Sequence, residues 1–462
     1  MRPRLPAVTT LRTATRSAML RSVARNCGAR ALAIVGLGLA AIVVARIGGP
    51  SAVGAYALLR MLPSLVGVLC IVGLPSSMAY FLAVPRRGVP RLWPTLAAIY
   101  ATGSVAGMAI WLLLTPLIAH TFFPHDTAST IVLAAPTIAT QMFLTTSKTA
   151  LQGLGRQRSS DVVIALEELS FLPCYLVMVG VHLHGSLAII AALGSADVLV
   201  GILGWRLVSR HTGWRWRRLL RRLPLVRPDL ALARQVLSYG MRGQLGGLLT
   251  LLNLRLDFAI LGAMAGPAVL GTYAIASKYA ELLRLPGIAA TWVTYPRFAR
   301  QERAESARRA RAFVLPAIGL VVSAAVPLLL VSGPAIHLLY GARFDPAVTP
   351  ARILILGVLL CGASGVASGF LYGSGRPGLN STAMGVGLTV TVILDVLLIP
   401  RFGAIGAAFA SMTTYLLTDT VLISLLLRAS SSRRAGQSSG PQIAPDPAGS
   451  RGAPTAGAGA AP

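Results

Sequence analysis

Apolar residues run in blocks of about 20 along nearly the whole chain, separated by short polar or glycine- and proline-rich stretches. The blocks predict membrane helices near 30–47, 57–83, 94–117, 129–150, 161–181, 187–207, 241–264, 271–295, 313–332, 352–372, 379–399 and 404–427. With the N-terminus inside, the segments 1–29, 84–93, 151–160, 208–240, 296–312, 373–378 and the tail face the cytoplasm, and they hold most of the arginines. The opposite connections hold almost none. Segments 48–56, 182–186 and 265–270 have no Lys or Arg, 333–351 has only Arg343 and 400–403 only Arg401. The alternation follows the positive-inside rule and predicts that both termini are cytoplasmic.

Composition agrees: 55% of residues are hydrophobic and 12% charged, which excludes a soluble globular enzyme. There are 42 Lys+Arg against 14 Asp+Glu, a formal net charge of +28. In a soluble protein that excess would point to nucleic acid. Here it reads as topology, and no nucleic-acid partner is expected. The basic 1–29 segment precedes an apolar run of spanning length without a convincing cleavage site, so that run is expected to remain as the first helix of a multi-pass protein in the bacterial inner membrane. The four cysteines, Cys27, Cys70, Cys174 and Cys361, show neither a metal spacing nor a disulfide framework.

Two short patterns recur at nearly one offset. Gly49-Pro50-Ser51-Ala52-Val53-Gly54-Ala55-Tyr56-Ala57 returns 217 residues later as Gly266-Pro267-Ala268-Val269-Leu270-Gly271-Thr272-Tyr273-Ala274. Leu151-Gln152-Gly153-Leu154-Gly155-Arg156 returns 220 residues later as Leu371-Tyr372-Gly373-Ser374-Gly375-Arg376. The chain therefore divides into halves of six helices, 30–207 and 241–427, joined by a basic linker at 208–240 and followed by a tail at 428–462. An even number of helices makes the repeats parallel, with a cavity expected between them. Trp214-Arg215-Trp216-Arg217-Arg218 in the linker suits a segment lying on anionic lipid headgroups. The Ser-, Gly-, Pro- and Ala-rich tail lacks apolar periodicity and is expected to be disordered.

Charges inside a bilayer persist where they face a cavity or a partner. Lys278, Glu281 and Arg284 fall on one helix face at i, i+3 and i+6, either as a cavity stripe or as a salt-bridge ladder. Arg60 lies within one position of the repeat equivalent of Lys278. Asn253 and Asp257 share a face, with Arg255 roughly opposite, so only one of these sides can line the cavity. Arg60, Lys278, Arg284, Arg255 and Asn253 are the candidate substrate-binding residues. Asp257, Glu281, Glu167 and Asp197 are candidates for ion coupling or charge pairing, since a membrane carboxylate can exchange a proton with a coupling ion's pathway. For Glu168, Asp395 and Asp419 a helix–helix hydrogen bond or snorkelling is the favoured reading. Gly373-Ser374-Gly375-Arg376-Pro377-Gly378 fits GxGxxG only formally, because it follows a membrane helix rather than a strand. The chain has no P-loop motif, its six histidines form no metal pattern, and no cofactor is expected.

The stretch Leu252–Gly262, with Gly266-Pro267 and Leu270–Ala276, resembles the polysaccharide flippases of the MOP/MATE-like exporter superfamily. Leu338-Leu339-Tyr340-Gly341-Ala342-Arg343-Phe344 and Leu398–Ala408 are similar to them as well. The resemblance spans roughly 25–428. It implies an all-α polytopic membrane protein whose two six-helix bundles form a V and alternate access to a cationic central cavity. It further implies a polyprenyl-diphosphate-linked oligosaccharide as substrate, as in O-antigen or exopolysaccharide export. Polysaccharide polymerases and glycosyltransferases are implied partners, and a proton gradient, a sodium gradient or the membrane potential the driving force. A MATE-type drug or cation antiporter is the alternative, and its cationic cargo would be repelled by Arg60, Lys278 and Arg284. A membrane polymerase or ligase fits less well, for want of a large outer loop.

Overall fold

A computed structural model describes residues 8–83, 92–212, 228–284 and 303–431; the side chains of 8–27, 30, 242–247, 249–250, 253–254, 303–304, 377 and 429–431 are outside the description. The described residues are helical throughout and contain no strand. The α-helices are α1 (Val8–Cys70), α2 (Leu74–Ala83), α3 (Leu92–Phe122), α4 (Ala128–Val132), α5 (Ala135–Gly153), α6 (Gln157–Gly180) and α7 (Gly185–Thr212). After the linker come α8 (Leu230–Glu281), α9 (Arg303–Tyr340), α10 (Val348–Gly357), α11 (Cys361–Gly373) and α12 (Pro377–Ser431). Short 3₁₀ turns cover Leu282–Arg284 and Ala342–Ala347.

Among the described residues eight helices are long and apolar enough to cross a membrane, and the pair Ala342–Gly357 and Cys361–Gly373, bent by 45°, makes a ninth. Three of them each merge two helices across a break in helical backbone. Helices α1, α8 and α12 each contain one glycine outside helical backbone, at Gly49, Gly266 and Gly403. Divided there, the nine become the twelve expected spans. Outward-facing leucines such as Leu113 (79% exposed) and Leu315 (78%) suit contact with lipid tails.

The segments 48–56 and 265–270, expected as loops, are instead single-residue kinks. Gly49 sits at φ 70, ψ −166 and Gly266 at φ 82, ψ 171, a region that in practice only glycine occupies. The proline that follows has its φ preset for a helix and needs no N–H partner in the first turn. One Gly-Pro step thus ends one helix and starts the next. The expected helix 57–83 is broken at residues 71–73, where Val72 (φ 48) and Gly73 (φ 73) leave helical backbone. Helix α1 starts at Val8 rather than near 30, because the Arg-, Ala- and Leu-rich segment before the apolar run favours helix. Likewise α8 starts at Leu230 rather than near 241, where the Asp229 carboxylate accepts from the backbone N–H groups of Ala231 (3.0 Å) and Leu232 (3.1 Å). The Trp214–Arg218 stretch of the linker, and the tail from 432, lie outside the described residues.

The halves meet along α1 and α8, and one buried core runs through both. It includes Val44, Tyr56 and Leu59 from the first half and Phe258, Leu270 and Tyr273 from the second. Smaller clusters lie around Met142 and Trp205 in the first half, joined there by Leu232 and Val236 of α8, and around Phe370 and Leu422 in the second. At the Gly-Pro end the repeats abut through backbone. A Cβ on Gly54 would lie 1.9 Å from the Pro267 carbonyl oxygen, and one on Gly271 would lie 1.9 Å from that of Pro50. Nearby, Arg46 crosses to α9, donating from Nε to the Leu339 carbonyl at 3.0 Å and from Nη2 to the Leu338 carbonyl. This puts a cation on the carbonyl end of a helix. At the opposite end Ser77 Oγ donates to the Val236 carbonyl at 2.6 Å, and the Tyr80 and Tyr239 rings stack at 4.3 Å. Contacts at both ends thus bracket the middle of the bundle.

Candidate functional site

Between these two closures lies a cavity of about 260 Å³, lined from the first half by Tyr56, Arg60, Ser64 and Glu168 and from the second by Leu251, Arg255, Phe258 and Lys278. Arg60 stands one turn beyond Tyr56 on α1, and its Nη1 donates to the Tyr56 hydroxyl at 3.0 Å. Its Nη2 pairs with Glu168 Oε1 on α6. Opposite, Arg255 pairs with Glu281 at 3.4 Å, and its guanidinium lies 5.1 Å from the centre of the Phe258 ring. Among the described residues Lys278 makes no ion pair. Three cations against two carboxylates leave the cavity one positive charge in formal terms.

Arg60 and Ser64 also border a smaller chamber of about 130 Å³, with Gln141, Thr145, Glu167 and Asp197. Here Lys148 Nζ meets Glu167 Oε2 at 2.6 Å, and Thr140 Oγ1 donates to Asp197 Oδ2 at 3.4 Å. Asp197 is 9% exposed and has no ion pair among the described residues.

The structure therefore brings Arg60, Arg255 and Lys278 onto one cavity, while Glu167 and Asp197 adjoin it. Glu281 reaches Arg255 rather than Lys278. Asp257 points the other way, as the opposite-face spacing requires: it is 2% exposed and accepts from the Tyr273 hydroxyl at 2.6 Å, the Phe258 N–H at 2.9 Å and Ser411 Oγ at 3.4 Å. Arg284 does not line the cavity. It lies in the 3₁₀ turn that ends α8, and its guanidinium stands 4.9 Å over the Tyr415 ring. Six residues of helix fall about 120° short of two full turns, so the i, i+6 spacing does not place Arg284 on the face of Lys278. The Asn253 side chain lies outside the described residues.

Gln141 gave no signal in the sequence, and Glu168 only that of a helix–helix or snorkelling group, because the partners of both are far away along the chain. Tyr56 gave one, since it stands in the repeated Gly-Pro pattern opposite Tyr273. The two tyrosines serve different charges, Tyr56 accepting from Arg60 and Tyr273 donating to Asp257. Within the second half Asp395 is fully buried, and neither of its carboxylate oxygens has a hydrogen-bond partner among the described residues.

Residues 31–302, more than half of the chain, match the family described as polysaccharide biosynthesis protein. The chain belongs to that family. A stretch of 80 residues is 30% identical to uncharacterized membrane protein MJ1068 of Methanocaldococcus jannaschii, covering 17% of this chain and 16% of that one. Among solved structures, the lipid II flippase MurJ in an inward closed conformation superposes with a TM-score of 0.68 at 14% identity, over 89% of this chain and 90% of MurJ. An inward-facing multidrug resistance MATE family transporter of the MOP superfamily gives 0.65 at 14% identity, over 87% and 96%. An outward-facing one gives 0.54 at 15%, over 89% and 96%. At these identities the likeness is one of fold. This family member thus has the fold of the MOP transporters.

Proposed function

We propose that the protein is a flippase that carries a polyprenyl-diphosphate-linked oligosaccharide from the cytoplasmic to the outer leaflet of the bacterial inner membrane, by alternating access. The observation that carries this reading is the convergence of Arg60, Arg255 and Lys278, drawn from both halves, on one cavity between them. Clustered cations in a partly dry site select an anion, and phosphate oxygens accept from guanidinium and ammonium groups in short charge-assisted bonds. At about 260 Å³ the cavity has room for a diphosphate but not for an oligosaccharide, so loading requires the halves to part. The lipid would stay in the bilayer.

A proton gradient, a sodium gradient or the membrane potential would drive the cycle, with Asp197 beside the cavity and Asp257 in the second half as the coupling carboxylates. Both termini would be cytoplasmic, and polymerases and glycosyltransferases of the same polysaccharide would be partners. Export of a cationic drug, the work of the MATE fold relatives, is disfavoured by a cavity with surplus positive charge.

Lys278 gives the cleanest test, since its removal leaves no ion-pair partner stranded among the described residues. Lys278→Ala should remove a contact worth about 1.5–3 kcal/mol and lower export roughly tenfold or more at matched membrane level. Lys278→Arg should retain most of it, because a point charge suffices for phosphate. The readout is surface glycan in cells lacking the natural gene. Normal export by the Arg60→Ala, Arg255→Ala and Lys278→Ala variants alike would overturn the cationic-cavity reading.

A further inference from the structure

We propose that Glu168 is a resident stand-in for the substrate's phosphate: it occupies Arg60 while the cavity is empty, gives way when a diphosphate enters, and takes Arg60 back to expel it. Glu281 does the same for Arg255 in the second half. The inference rests on the diphosphate reading and adds how such a ligand is admitted and released.

Four observations support it. Arg60 and Glu168 both line the cavity, so their pair lies where an incoming anion arrives rather than behind it. Glu168 is bound through one oxygen only; its Oε2 is buried without a hydrogen-bond partner among the described residues. A pair built for structure would be bidentate or have its second oxygen satisfied, since an orphaned buried charge is unfavourable. In the second half the Arg255–Glu281 separation of 3.4 Å is longer than a good charge-assisted bond, and both side chains are about one-third exposed, at 31% and 33%. Finally, Lys278 lines the same cavity without an ion pair of its own among the described residues, free to meet the anion first.

Charge balance accounts for both steps. A doubly esterified diphosphate is dianionic. With both carboxylates in place the loaded cavity would hold a net negative charge, so they are driven off the arginines as the phosphate approaches. Three free cations then face a dianion. The displaced carboxylates remain tethered within reach, and their return restores the two pairs. Without them nothing would compete with the phosphate for Arg60 and Arg255, and release would be slow.

The test uses the full-length protein in lipid nanodiscs, with farnesyl diphosphate as probe and farnesol as its uncharged control. Glu168→Gln keeps the shape and removes the charge. It should bind farnesyl diphosphate about tenfold tighter than the natural protein, the effect of removing one charge-assisted competitor. In cells it should export less glycan despite the higher affinity. A side chain needed only for packing would give the reverse, weaker binding or none. Should Glu168→Gln fail to fold, Glu281→Gln, a partly exposed site, must show the same tightening. Equal or weaker binding by the folded variant, while Lys278→Ala still loses affinity, would overturn the stand-in role and leave the diphosphate reading intact. Equal binding of farnesyl diphosphate and farnesol by every protein would overturn both.

Discussion

Adding a single methyl group at Gly54 should hold one end of the transporter open. The Cβ of Gly54→Ala would lie 1.9 Å from the Pro267 carbonyl oxygen, whereas ordinary contact begins at 3.4 Å, so the two helices must separate by about 1.5 Å at a point where backbone meets backbone. No flexible side chain is available to absorb the shift. Overpacking of this kind costs about 1–3 kcal/mol. Set against the closed state alone, that shifts the closed-to-open ratio by about 5- to 150-fold. Gly271→Ala should act equally, because its Cβ meets the Pro50 oxygen at the same 1.9 Å. Gly38→Ala, with nothing within 4 Å, is the control. The assay is a cysteine at position 64, on the cavity wall, in a chain whose four native cysteines are replaced, labelled in intact cells by a membrane-impermeant maleimide. Both alanine variants should label faster than the control. Unchanged labelling would mean that the Gly-Pro contact does not seal the cavity from outside.

Two further outcomes follow from the topology and from the displaced arginine. Reporter fusions after Ala268 and after Ser430 should report opposite sides of the membrane, and the same side for both would refute the orientation inferred from the arginines. Arg284→Ala should lower thermal stability by the loss of its contact with Tyr415, worth about 0.5–2 kcal/mol, while leaving farnesyl diphosphate affinity unchanged. An affinity loss matching that of Lys278→Ala would put Arg284 in the binding site.

The sequence was most legible where one helix or one repeat carried the information. Blocks of apolar residues marked the spans, and the recurrence of Gly-Pro at 49 and 266 marked the halves. The repeat also put Arg60 and Lys278 at matching positions, and both line the same cavity. Periodicity located Arg255 and Asp257 on opposite sides of α8, which the structure turns to the cavity and to the interior respectively. It failed at Arg284 because six residues of helix fall about 120° short of two full turns, off the face of Lys278. Glu168 read as a minor group because its partner is 108 residues distant, and pattern within a helix says nothing about such a pairing. The Gly-Pro segments read as loops since both residues break helices, yet here a single Gly-Pro step passes from one helix to the next.

The reciprocal contact of Gly54 with Pro267 and Gly271 with Pro50 bears on the descent of the chain. It is isologous: each half offers the other the same patch, as the subunits of a two-fold dimer do. Such an interface requires no fusion. A single six-helix polypeptide carrying the Gly-Pro pattern would form it twice on meeting its own copy, since parallel insertion places both copies in the same sense across the bilayer. Duplication and joining through the basic linker would then leave that junction untouched while freeing each copy to change alone. The asymmetry at one aligned position shows the result: Asp257 occupies the interior of the second half, and Ala40 stands at the equivalent place in the first.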